Sequence, residues 1–191
     1  MLSRFDDYPI HQTAEPLFHT ASSDRFVYDR YWYNAHARDG SFYFGVALCR
    51  YANLGILDCS LSLAIDGHQY AFHGSRRAPH EPTDTSVGPF SLQILEPMGR
   101  HRVVIEANET GIECDLLFTP RTACIEEGRQ TLRNERHVVM DATRLDQFGF
   151  WSGWIRYDGR ELQVDGASTF GLKDRSWGIR PVGDPYSGGA P

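Results

Sequence analysis

The chain of 191 residues contains no long apolar run and no concentration of basic residues. No segment approaches the roughly 18 consecutive apolar residues that a membrane-spanning helix needs, and residues 1–12 lack the apolar core of a secretion signal. The net charge is −6 and the basic residues are scattered, unlike the positive surfaces that bind nucleic acid or anionic membranes. We therefore expect a cytoplasmic protein with no nucleic-acid partner and no membrane insertion.

Cysteine is also scarce in this sequence. The four cysteines, Cys49, Cys59, Cys114 and Cys124, lack the close pairing of zinc or redox motifs. The eight histidines include no pair at the short spacings that place two metal ligands on one face of a strand or helix. The motifs of serine hydrolases and of phosphate-binding loops are absent as well. We expect free thiols, no metal site and no cofactor.

What the chain does contain is the pattern of antiparallel β-structure. From Arg25 onward, short runs rich in aromatic and β-branched residues are separated by turn residues. The clearest run, 57–65, is apolar at every second position, and Asp66-Gly67 separates it from the run 68–73. Because Asp-Gly supplies the positive φ values of a tight turn, we predict a β-hairpin there.

Turn residues elsewhere predict further hairpins. We expect them at Asp39-Gly40, at 108–111 and at Asp158-Gly159, and another Asp-Gly pair precedes the run 169–180. Helical spacing is nearly absent from the chain. The best candidate for a helix, 138–148, fits a strand equally well.

The predicted architecture is an all-β antiparallel barrel. Meandering strands can form a sandwich or a barrel, and we favour a small barrel whose apolar cavity holds one ligand. The proline-rich segment 76–89 is predicted to be a loop and a lid over that cavity. The expected organisation is an N-terminal arm (1–24), the barrel domain (25–183) and a linker or tail (184–191).

Three segments carry a resemblance to a known family. They are Asp-Arg-Tyr-Trp-Tyr-Asn at 29–34, Gly-Ile-Leu-Asp at 55–58 and, above all, Gly-Leu-Lys-Asp-Arg-Ser-Trp-Gly-Ile-Arg-Pro at 171–181. Over roughly residues 25–183 the chain resembles the first, N-terminal domain of the hydroxyneurosporene synthase (carotenoid 1,2-hydratase) and AttH-like superfamily.

This resemblance implies a lipocalin-like, calycin-type β-barrel, usually followed by a second such domain. The ligand site would lie in the barrel mouth or between the two domains. Members hydrate linear isoprenoids, and related folds cyclise polyenes. The implied partners are a small apolar ligand and either a second lipocalin-like domain or a second copy of the chain.

The chain departs from the family pattern in its most specific segment. Hydratase-like members often have Asp-His-Glu-Trp there, whereas this chain keeps Asp174 and Trp177 but has Arg175 and Ser176 between them. The usual additional acid–base groups are therefore missing. The segment also falls near the end of the chain, so we expect the second domain to be supplied by a longer protein, by another chain or by self-association.

Asp174 is the candidate catalytic residue. Protonating an alkene needs a carboxylic acid kept neutral by an apolar pocket, and aromatic faces would stabilise the resulting carbocation. The candidate ligand-binding residues are Tyr28, Trp32, Trp151, Trp154, Arg175 and Trp177. The alternative is structural, with Asp174 paired to Arg175, Arg180 or backbone amides near a barrel end.

Strand alternation divides these candidates between two faces. In a regular strand, Asp174 shares its face with Leu172 and Ser176. Trp177 shares the other face with Lys173 and Arg175. Asp174 and Trp177 therefore point the same way only if a bulge intervenes. On the first strand, either the set Tyr28, Arg30, Trp32 and Asn34 or the set Tyr31 and Tyr33 lines the cavity. The tryptophans at 151 and 154 fit a pocket wall or ordinary packing between strands.

The leading functional hypothesis is a barrel that binds a small apolar molecule such as an isoprenoid, steroid or polyketide. Any catalysis would be cofactor-free acid–base hydration or cyclisation, of a lyase or isomerase type. Two alternatives stay open: a non-catalytic carrier, and a structural half that docks onto a second barrel domain.

Overall fold

The computed structural model describes residues 3–181, and within them the regular secondary structure consists almost entirely of antiparallel β-strands. The strands are β1 (Val27–Ala37), β2 (Phe42–Tyr51), β3 (Ile56–Ile65), β4 (His68–Arg77), β5 (Ser86–Val87), β6 (Phe90–Ile94), β7 (His101–Ile105), β8 (Glu113–Pro120), β9 (Ile125–Glu126), β10 (Gln130–Asn134), β11 (His137–Tyr157), β12 (Arg160–Val164) and β13 (Thr169–Ile179). Two short 3-10 turns, Arg4–Asp7 and Ala52–Leu54, are the helical elements of the described part.

The strands form one sheet that curls into a nearly closed, lipocalin-like barrel. Its order is β4-β3-β2-β1-β13-β11-β8-β7-β6-β5. The two ends of this order approach each other, because β5 lies against β3 and β4. The predicted all-β antiparallel barrel is confirmed.

The predicted hairpins are present. β3 and β4 pair in register from Ile56↔Arg77 to Ile65↔His68, and the turn residues Asp66 and Gly67 have φ values of 53° and 74°. Positive φ at both central positions gives the turn a twist that matches the twist of the paired strands. β1–β2, β7–β8 and β11–β12 are the other predicted hairpins, and each forms.

Segment 138–148 belongs to a strand, so the helical alternative is wrong. It lies inside β11, whose 21 residues pair with β13 along one edge and with β10, β9 and then β8 along the other. Hydrogen bonds to strands on both edges outweigh a weak local preference for helix.

The proline-rich segment is shorter as a loop than predicted. β4 continues to Arg77 and β5 takes residues 86–87, so the irregular part covers only 78–85. This part lies at one end of the barrel, where Pro82 borders a cavity in the barrel mouth. Its action as a lid stays a prediction.

The middle of the barrel is filled by aromatic rings. Trp151 is fully buried, and its ring centroid lies 5.5 Å from those of Tyr33 and Phe44 and 5.4 Å from that of Phe118. Gly171 on β13 makes room for this indole, because a Cβ there would lie against it and 2.6 Å from the Asn34 backbone oxygen. The filled centre closes the barrel interior below its open mouth.

The segment before the barrel lies along its outside. The Asn53 side-chain amide donates to the carbonyl oxygens of Ser22 and Asp24, each at 2.7 Å. The predicted linker or tail, 184–191, lies outside the described residues. Within residues 3–181, no helix has the length and apolarity needed to cross a bilayer.

Candidate ligand-binding site in the barrel mouth

A cavity of about 400 Å³ opens at the end of the barrel where β1 begins and β13 ends. Its lining combines apolar and aromatic side chains with one acidic residue, one histidine and two basic residues. The lining residues are Asp29, Tyr31, Ile94, Pro97, Met98, His101, Leu145, Lys173, Arg175 and Trp177. They come from β1, β6, β7, β11 and β13, and from the loop between β6 and β7.

Lys173 lies at the floor of this cavity and is 2% exposed. Its register partners are Tyr33 on β1 and Gln147 on β11, so all three side chains share the inner face of the sheet. The ammonium nitrogen is 5.9 Å from the centroid of the Phe118 ring. Within residues 3–181, no carboxylate lies within ion-pair distance of it.

His101 and Tyr33 form a buried polar pair beside Lys173. The Tyr33 hydroxyl and His101 Nδ1 are 2.5 Å apart, and both residues are almost fully buried. Burial, together with the charges of Lys173 and Arg175, lowers the pKa of His101 to about 4. Burial also raises the pKa of Tyr33 well above its usual value. At neutral pH the pair therefore consists of a neutral imidazole and a neutral phenol.

Arg175 forms a wall of the cavity and is fixed in place by several contacts. Its guanidinium pairs with the Asp29 carboxylate and lies 4.0 Å from the centroid of the Tyr31 ring. It also donates to the backbone oxygen of Arg30 at 3.2 Å. These contacts fix the positively charged guanidinium of Arg175 in one orientation beside the cavity.

The loop between β6 and β7 forms the opposite wall. The Gln147 side-chain amide donates to the Met98 carbonyl oxygen at 2.8 Å and to the Thr122 carbonyl oxygen at 3.0 Å. This connects the loop to the inner face of β11. Within the described residues, Gln147 Oε1 is buried without a hydrogen-bond partner.

A second lobe of about 570 Å³ adjoins the first at the same end of the barrel. The two lobes share Asp29, Tyr31, Ile94 and Arg175. The second lobe extends towards β2, β3 and the loop 78–85 and is lined by Leu48, Leu57 and Leu92, among others. The mouth can therefore accommodate a molecule longer than one lobe.

Of the candidate residues, Arg175 and Trp177 line the cavity. Trp151 is inside the barrel but below the cavity, in the filled centre, where its indole N–H donates to the Asn34 carbonyl oxygen at 3.2 Å. Tyr28, Trp32 and Trp154 are not in the cavity.

These three aromatic residues lie on the outer face of the sheet. Tyr28 packs with Cys49, Met140 and Ala142 in a separate small cluster. Trp32 borders a shallow groove over β1 to β4, and the ring of Trp154 lies 4.7 Å from the Arg156 guanidinium.

Asp174 also lies on the outer face, opposite Trp32 in the β1–β13 register. Its carboxylate contacts Arg30 at 3.4 Å and Arg144 at 3.9 Å. Burial raises the pKa of Asp174, and the two arginines oppose that shift. The structural alternative for Asp174 is an ion pair with Arg175 or Arg180. The carboxylate does contact arginines, but these are Arg30 and Arg144. Asp174 and Trp177 take opposite faces, as alternation without a bulge requires.

Sequence reasoning did not single out Lys173 or His101. Two signals were present for Lys173: it is the only lysine in the chain, and it shares a strand face with Arg175 and Trp177. No local signal marked His101. Its position depends on the pairing of β7 with β6 and β8, and its neighbour Tyr33 lies 68 residues away in sequence.

Comparison with known proteins gives one family and a set of similar folds. A model described as "Family of unknown function (DUF8625)" matches residues 2–191. Kievitone hydratase from Nectria haematococca is similar with a TM-score of 0.60 at 14% identity, over 80% of this chain and 48% of that one.

CghA is similar in two crystal structures. With Sch210972 bound, the TM-score is 0.51 at 20% identity, and without it 0.52 at 18% identity. Each match covers 80% of this chain and 46% of CghA. The chain thus spans about half the length of these structures, and at such identities the likeness shows the fold alone. No curated protein matches the sequence.

Proposed function

The chain belongs to a family of unknown function, DUF8625, and from its barrel mouth we propose that it binds one small, largely apolar molecule. The observation that carries this proposal is the cavity of about 400 Å³ whose apolar and aromatic walls surround a few buried polar groups. Small-molecule sites in proteins have this size and this mixture of lining groups. An isoprenoid, a steroid or a polyketide would fit such a mouth.

The proposal includes membership of the hydroxyneurosporene synthase and AttH-like superfamily, as its first lipocalin-like domain. The fold shared with kievitone hydratase and CghA supports this placement. So does the fact that the chain spans only about half of each neighbour, which leaves length for a second domain in those proteins. One of these neighbours is a hydratase and the other was crystallised with Sch210972, which is consistent with hydration or with ligand binding in such barrels.

Any catalysis would be cofactor-free acid–base chemistry, either hydration or cyclisation. The groups placed to move a proton are Lys173 and His101, which line the mouth, and Tyr33, which is hydrogen-bonded to His101 in the barrel interior. Asp174 faces away from this cavity, so we assign it to the outer polar cluster rather than to proton transfer in the mouth. A non-catalytic carrier would use the same cavity without the proton transfers.

Binding is tested by titration with anilinonaphthalene sulfonate, an apolar fluorescent anion. We expect saturable binding of one probe per chain. Leu145→Trp should weaken that binding by about tenfold or more, a loss of about 1.4 kcal/mol, because Leu145 lines the cavity. Phe148→Trp is the matched control: it lies on the same strand, but its side chain is 52% exposed on the outer face.

Absence of saturable binding, or an equal effect of the two variants, would refute the assignment of the cavity. Native mass spectrometry of the freshly purified chain adds an independent measurement. An apolar adduct that disappears in Leu145→Trp and persists in Phe148→Trp would identify the ligand class by its mass.

The outer face of β1, β13 and β11 supports a second candidate function, docking onto another barrel. An apolar patch is exposed there: Phe148 is 52% exposed, and its neighbours Phe150, Phe170 and Leu172 are half-buried. Exposed apolar patches often mark protein–protein contact surfaces, and a second copy of the chain would cover this one. Sedimentation over a range of concentrations tests this, since a chain that stays monomeric at high concentration would contradict it.

A further inference from the structure

The only lysine of the chain, Lys173, is buried in the barrel mouth without a compensating charge. A charged ammonium group removed from water is costly unless a carboxylate or several acceptors replace its hydration. The carboxylate in the cavity lining, that of Asp29, is already paired with Arg175. Within residues 3–181, Lys173 forms no ion pair.

The groups around Lys173 favour the neutral amine. Arg175 lies two residues along the same strand face, so its fixed positive charge repels a second cation. Burial is the largest cause and lowers the pKa of Lys173; the charge of Arg175 adds to this shift, whereas the side chain of Cys124 opposes it without cancelling it. Desolvation and a neighbouring cation are the two conditions that convert a lysine into a nucleophile at neutral pH.

The surroundings also provide space for a reaction partner. Lys173 lines the cavity of about 400 Å³, so an apolar molecule in the mouth lies beside its amine. The neutral imidazole of His101 lines the same cavity and is hydrogen-bonded to the buried Tyr33 hydroxyl, so this pair can relay protons. A nucleophile, proton-transfer groups and an apolar enclosure are therefore brought together on one side of the sheet.

We propose that Lys173 binds an aldehyde or ketone group of an apolar ligand covalently, as an imine. The amine lone pair of Lys173 attacks the carbonyl carbon, and the carbonyl oxygen takes up a proton to give a carbinolamine. Loss of water then forms the C=N bond, so that amine and carbonyl give imine and water with no change in oxidation state. This proposal rests on the proposed function, since it requires a ligand in the mouth.

The test uses cinnamaldehyde, an apolar aromatic aldehyde, with borohydride to reduce any imine to a stable amine. The protein is Arg156→Lys, in which an exposed lysine on the outer face serves as an internal reference, because the side chain of Arg156 is 52% exposed. We expect a mass increase equal to the aldehyde less one oxygen atom. Peptide mapping should place the modification at Lys173 at least about tenfold faster than at the introduced lysine, of which only about one part in a thousand is unprotonated at neutral pH.

Two further measurements separate this proposal from simple binding. Leu145→Trp should slow trapping at Lys173 but not at the introduced lysine, and saturating anilinonaphthalene sulfonate should do the same. If the probe binds in the cavity but Lys173 is trapped no faster than the reference, imine formation is refuted and the binding function stands. If neither probe binding nor selective trapping occurs, the proposed function itself fails.

Discussion

Protonation of His101 should couple the stability of the barrel to pH between about 6.5 and 4. The unfolded chain takes up this proton near pH 6.5, whereas in the fold the pKa of His101 is lowered to about 4, first by burial and then by the charges of Lys173 and Arg175. Because the unfolded chain binds more protons across this interval, the free energy of unfolding decreases as the pH falls. At about 1.36 kcal/mol per pH unit, the full loss is about 3 kcal/mol.

Asp146 titrates in the same pH range and changes the stability in the opposite direction. The contribution of His101 is therefore isolated by comparing the wild type with a variant that lacks the imidazole. Burial, with the nearby carboxylates of Glu127 and Asp174, raises the pKa of Asp146 to about 6. The fold therefore holds this proton more tightly than the unfolded chain, and stability decreases as the pH rises from about 3.8 to 6. His101→Gln removes the imidazole but leaves Asp146 unchanged on the outer face, and the glutamine can still bond to Tyr33.

The assay is urea denaturation of both proteins, followed by tryptophan fluorescence at a series of pH values. We expect the stability of the wild type relative to His101→Gln to decrease by about 3 kcal/mol between pH 7 and pH 4. The loss should be smaller in a Lys173→Met background, since one of the neighbouring charges is then absent. A difference that does not change with pH would show that His101 titrates normally, and would refute the account of a buried neutral imidazole.

Three further substitutions test the packing and the two faces of the sheet. Gly171→Ala should destabilise the fold by about 1–3 kcal/mol, because the added Cβ would overlap the Trp151 indole; Gly128→Ala, with open space around it, should leave the thermal midpoint unchanged. Tyr33→Phe leaves a buried ring nitrogen without its partner and should lower the free energy of unfolding by about 1–3 kcal/mol in urea. Asp174→Asn should leave the affinity for anilinonaphthalene sulfonate within about twofold of wild type, and a much larger loss would place its carboxyl in the site.

Much of the fold was predictable because its signals are local. The alternation in 57–65 and the Asp66-Gly67 turn specify a hairpin within about 20 residues of chain, since strand period and turn geometry are properties of short segments. The long strand β11 was ambiguous because its local pattern fits a helix as well as a strand. Its conformation depends on partners on both edges, which are distant in sequence.

The site was predictable only in part. Alternation on β13 correctly separated Asp174 from Arg175 and Trp177, but it could not decide which face turns inward. A strand pattern with large residues on both faces, as in 28–34, is compatible with either orientation.

The sequence by itself determined the strand periodicity, the positions of the tight turns and the division of each strand into two faces, because these depend on neighbouring residues. Only the tertiary structure decided that the face of Tyr31, Tyr33, Lys173 and Arg175 is the inner one. When the sheet closes into a barrel, one of its faces is buried. Which face is buried depends on how all the strands pack together. The same closure brought His101 to Tyr33 and left the single lysine buried at the floor of a cavity.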